Sequence, residues 1–118
     1  LIGVGTKIEG DVTFTGGLRV DGEVKGDVRA IGDGGGTLVI SDHARIEGEI
    51  NVSYLVINGT IIGSVSSSEF LELQPRARVT GDVQYNSLEI HLGAIVQGRL
   101  VHQGDTGKAV ELKLASSN

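Results

Sequence analysis

The chain has 118 residues, room for one domain, and its 15 acidic and 10 basic side chains give a net charge of −5, which disfavours nonspecific nucleic-acid binding. Its 19 Gly, one Pro, two Phe and two Tyr, with no Trp, Met or Cys, exclude disulfides and thiolate chemistry and leave Val, Ile, Leu and Ala to build the core. No apolar run approaches the ~18 residues of a membrane-spanning helix, and no signal peptide is visible.

In chain order the first organised element is Ile8-Glu9-Gly10-Asp11-Val12, an apolar residue two positions either side of a glycine. The stretch from Leu18 to Ala30 extends the same logic. Its even positions, Leu18, Val20, Gly22, Val24, Gly26, Val28 and Ala30, are all apolar or Gly, and its odd positions are all charged. A period of two means an extended chain with one buried and one wet face. Glycines on the buried parity mark corners, where no Cβ fits on the inside, so short strands should wrap around a narrow apolar core.

The glycine-centred unit recurs as Val24 to Val28, Ile46 to Ile50, Ile61 to Val65, Val79 to Val83 and Val96 to Leu100, with glycine spacings of 16, 22, 15, 18 and 17 residues. The longest spacing holds the insertion Gly32 to Gly36, expected to be a mobile corner. A Leu followed two residues later by Val, Ile or Leu precedes each of the last five units: Leu18/Val20, Leu38/Ile40, Leu55/Ile57, Leu71/Leu73 and Leu88/Ile90. The next corner is tight at Gly22 and Gly59, and two residues longer with a small inward residue at Ala44, Ala77 and Ala94.

Repeats of about 17 residues, each with three short strands and three corners, predict an all-β fold, a parallel β-solenoid of about six turns stacked at ~4.8 Å. Ile8, Val24, Ile46, Ile61, Val79 and Val96 should form one column of side chains, and Val12, Val28, Ile50, Val65, Val83 and Leu100 its neighbour. Residues 1–103 form this domain. The tail 104–118 departs from the pattern, and Ala109 to Leu114 is either a last partial strand or a disordered end.

No catalytic constellation emerges. His43, His91 and His102 occupy different places in the repeat, so no metal site and no cofactor is expected. The Gly32–Gly36 run lacks a following Gly-Lys-Ser/Thr, which excludes a Walker-type nucleotide site. Ser66, Ser67 and Ser68 have no basic partner in register and read as a corner loop. Asp21 and Glu23 face outward among cations.

The ends carry the functional expectation. A parallel solenoid leaves the backbone groups and apolar layer of its terminal turns without partners, and such edges add further chains unless capped. The first turn offers Ile2, Val4, Ile8, Val12 and Phe14, and the last offers Leu88, Ile90, Leu92, Val96 and Leu100. End-to-end stacking of copies of this chain through these residues is expected. The alternative is a tail that folds over one end and leaves a monomeric, rigid binding module; a β-helical transferase or zinc enzyme is a third reading.

The segments Ile8 to Val12, Leu18 to Val28, Ala44 to Ile50 and Gly93 to Gly98 together resemble the bactofilins, bacterial cytoskeletal proteins, and the resemblance spans residues 2–102 through every repeat. It implies a right-handed β-helix of triangular cross-section that assembles through its ends, without nucleotide, into nonpolar filaments in which like ends meet. It implies a cytoplasmic scaffold for cell shape, polar organisation or cell-wall enzymes, often held at the inner membrane by an N-terminal segment. Partners would then be the chain itself and cell-wall synthesis or membrane proteins. The first repeat starts almost at Leu1, so direct membrane insertion is not expected.

Overall fold

The structure, a computed structural model, describes residues 1–32 and 36–103. Among them there is no helix, and every strand pairing is parallel. The chain climbs in layers. The first holds Ile2, which bridges to Val20, then β1 (Lys7–Glu9) and β2 (Val12–Phe14). The second holds β3 (Gly16–Val20), β4 (Glu23–Lys25) and β5 (Val28–Ala30), and the third β6 (Gly36–Ile40), β7 (Arg45–Glu47) and the first half of β8 (Ile50–Ile57). The second half of β8, β9 (Thr60–Ile62) and the first half of β10 (Val65–Leu73) make the fourth. The rest of β10, β11 (Arg78–Thr80) and β12 (Val83–Tyr85) make the fifth, and β13 (Ser87–Ile90), β14 (Ile95–Gln97) and β15 (Leu100–His102) the last. Six layers are joined by five successive steps, closing a β-solenoid with three faces.

The first face stacks β1, β4, β7, β9, β11 and β14. The second stacks β2, β5, the first halves of β8 and β10, β12 and β15, and the third runs from β3 and β6 through the second halves of β8 and β10 to β13. The registers place Ile8, Val24, Ile46, Ile61, Val79 and Val96 in one column. Val12, Val28, Ile50, Val65, Val83 and Leu100 form the next, as the repeat spacing predicts. In the middle layers these side chains are wholly buried: Val24, Ile46 and Ile61 are 0% exposed. Each is covered from above and below by its own column, so burial worth about 1.5–3 kcal/mol per side chain depends on the neighbouring layers.

Three local expectations change. The corner glycines are indeed forced, but not by crowding inside the corner. Gly48 has φ +154, and a Cβ there would overlap the carbonyl of Gly26 in the layer below, so the constraint runs along the rod. Ser66 to Ser68 lie within β10 and not in a loop. β8 and β10 carry the chain round the corner between the second and third faces without leaving the sheet, and β10 takes one extra residue between Ser67 and Phe70, a β-bulge. Ser67 is wholly buried there, its hydroxyl shared between the carbonyls of Ser53 (2.9 Å) and Phe70 (2.8 Å). Gly36, placed at the end of the insertion, pairs with Gly16 as the first residue of β6 and has no room for a Cβ beside Ala30 and Phe14. Residues 33–35 of that insertion and the tail 104–118, with its candidate strand Ala109 to Leu114, lie outside the described residues.

Candidate functional site

The long corners come from the residues named for them. Ala44 and Ala77 are buried, and the turns Ser41–Ala44 and Gln74–Ala77 close by an Ala N–H donating to the Ser41 carbonyl (3.1 Å) and the Gln74 carbonyl (2.9 Å). The short corner at Gly59 packs so tightly that a Cβ would overlap the Ser41 carbonyl of the layer below.

The end layers differ from the middle in burial. On the first layer Ile2 is nearly buried under Val20, and Ile8, Val12 and Phe14 are half-buried against the core. Val4 projects from the corner before β1 and is 71% exposed. On the last layer Leu88 and Val96 are half-buried, Ile90 is 49% and Leu100 43% exposed, and Leu92 stands almost free at a corner tip. The stacked columns thus remain open at both ends, and more so at the C-terminal one; Val101 and Ile95 are also exposed, but in the outward columns of the second and first faces.

Along the sides, charge is used for register. On the first face Lys7, Glu23 and Arg45 stack in one outward column and Glu9, Lys25 and Glu47 in the next, so Glu23 and Lys25 each meet an opposite charge above, below and beside them. Lys7 Nζ lies 3.6 Å from Glu23, and Arg45 Nε donates to Glu47 at 3.0 Å. At the corner after this face, the carboxylate of one layer accepts the backbone N–H of the next: Asp11 from Asp27 (2.9 Å), Asp27 from Glu49 (2.9 Å) and Asp82 from Arg99 (3.1 Å).

Two carboxyls are tuned by such contacts. The Arg99 backbone N–H and then its guanidinium hold the Asp82 carboxyl below its ordinary value. The Ser41 hydroxyl and the Arg19 guanidinium do the same for Asp21. Ser41 Oγ is buried without a hydrogen bond of good geometry, so its effect on Asp21 is that of a nearby dipole and not of a formed bond.

The histidines occupy three unrelated positions. His43 sits on an exposed corner beside Asp42 (3.7 Å), and His102 packs edge-on against Tyr85 at 5.6 Å. His91 is different. Its Nε2 lies 2.9 Å from Glu72 Oε2 and 3.1 Å from Glu89 Oε2, and one donor atom from each of the three residues falls within 4.8 Å of the others. A search for stacked histidines misses this group because it is mixed. The signal was present as Glu72-x-Gln74 followed by Glu89-x-His91, one repeat of 17 residues later.

Two depressions of about 230 and 460 Å³ on the second face share Asn51 and Ser66, and neither is lined by a histidine or a lysine. Among the described residues no helix is long and apolar enough to cross a membrane.

Comparison with known proteins adds to this geometry. A family model described as Bactofilin, polymer-forming cytoskeletal, matches residues 1–101. The chain is 27% identical over 105 residues to Bactofilin BacP of Myxococcus xanthus (strain DK1622), over 89% of this chain and 42% of that protein. It therefore spans less than half the length of the curated relative it matches. No solved structure matches the chain at a significant level.

Proposed function

Because the chain belongs to the bactofilin family of polymer-forming cytoskeletal proteins, and so to a structural rather than an enzymatic class, we propose that it acts by stacking end to end into filaments without nucleotide. The observation that carries this reading is the contrast in burial along one column. Val28, Ile50 and Val83 are 0% exposed, whereas Leu100, next in the same stack, is 43% exposed. Covering the last layer with another layer restores both the apolar contacts and the backbone pairing that, among the described residues, β13, β14 and β15 lack on one side.

On this reading Leu88, Ile90, Leu92, Val96 and Leu100 form one contact surface and Ile2, Val4, Ile8, Val12 and Phe14 the other, with like ends meeting. The filament would serve as a scaffold for cell shape or cell-wall enzymes at the cytoplasmic face of the membrane. Replacing Leu100 by Arg places a charge where a layer must be covered, and burying it unpaired is costly. Negative-stain microscopy of the purified chain should show filaments, and Leu100→Arg should leave short species that sediment slowly. Wild-type protein without filaments at any ionic strength would rule the proposal out.

A further inference from the structure

We infer that Glu72, Glu89 and His91 form a binding site for one borderline divalent cation, of which zinc is the type, fastening the last layer of the solenoid to the one beneath it. The proposal rests on the side of the rod and is independent of how the ends associate.

Two observations carry it. The first is geometric. β10 and β13 pair in register with Glu72 directly under Glu89, and His91 follows Glu89 by two residues, so its imidazole reaches over the pair. The distances from His91 Nε2 to the two carboxylates are 2.9 and 3.1 Å, and the three donor atoms lie within 4.8 Å. A tetrahedral ion with bonds near 2.0–2.1 Å needs donors about 3.3 Å apart, so small side-chain movements suffice, with water as the fourth ligand. Gln74 Nε2 donates to Glu72 Oε2 at 3.3 Å and steadies that carboxylate.

The second observation is the sign of the charges. Within the paired strands every other stack of two charged residues joins opposite signs, as Lys7 over Glu23, Glu9 over Lys25, Glu23 over Arg45 and Lys25 over Glu47. Among the described residues Glu72 under Glu89 is the one like-charged stack, and directly opposed like charges are destabilising. A cation held between them turns that repulsion into attraction. One imidazole with two carboxylates suits zinc, and disfavours magnesium and calcium, which take oxygen ligands.

The test is calorimetric titration of the chelator-treated full chain with zinc chloride and, separately, magnesium chloride. Zinc should bind at one per chain and magnesium not detectably. His91→Ala and Glu72→Gln should each weaken zinc at least tenfold, while His43→Ala leaves it unchanged. Circular dichroism establishes that each variant is folded, and the His91 Nε2 resonance should shift on zinc addition. No stoichiometric zinc, binding retained in His91→Ala, or binding lost in His43→Ala overturns the proposal.

Discussion

Asp82 and Gly48 show how single positions hold neighbouring layers together. The Asp82 carboxylate receives the Arg99 N–H and guanidinium from the layer above, and its pKa falls on folding from the ordinary 3.8. A carboxyl that holds its proton more weakly when folded contributes its stability fully above 3.8, and that contribution drains away as pH falls through the lower folded value. Asp82→Ala should therefore melt below wild type at pH 7, and the gap should close as the pH is taken below 3.8. A gap that widens in acid would contradict this. At Gly48 the constraint is backbone against backbone, with no flexible side chain to yield. Gly48→Ala should cost about 3 kcal/mol or more in urea denaturation, as strain and displacement of a layer combine.

The strand columns were legible in the sequence because a solenoid repeats its pattern once per layer. Alternation between Leu18 and Ala30 marked the faces, and the glycine spacing aligned Ile46 over Val24 and Val79 over Ile61 without reference to any neighbour in space. Ile61→Ala, in the middle of a fully buried column, should lose about 2–5 kcal/mol, read from a thermal or urea melt. What the sequence left obscure was the corner between the second and third faces. There β8 and β10 bend and their register shifts by one residue, and a hydroxyl takes the place that Val52 fills in the layer below. Three consecutive serines look like a loop unless the bulge that buries Ser67 is known. Ser67→Ala removes the donor shared by the Ser53 and Phe70 carbonyls and should cost about 1–3 kcal/mol, whereas Ser68→Ala, at an exposed position, should be near neutral. The mixed Glu72, Glu89 and His91 group escaped notice for a related reason, since it exists only after the register between two layers is fixed.

For the molecule as a whole, the middle layers hide their apolar columns and the two terminal layers leave theirs open, the feature on which the proposed end-to-end stacking rests. The sequence identified the terminal residues as a set, but not their unequal exposure: Ile2 is nearly buried beneath Val20 while Leu92 stands free. Ile2 is covered through its bridge to Val20, whereas Leu92 lies in the turn between β13 and β14 and belongs to no stacked column. If copies stack coaxially, the strand spacing of about 4.8 Å must run along the filament, because every layer lies across the rod axis. Diffraction from aligned filaments of the wild-type chain is the most direct test. End-to-end stacking predicts a reflection near 4.8 Å on the meridian, parallel to the filament axis, and a reflection at that spacing on the equator would show that the rods associate through their sides instead.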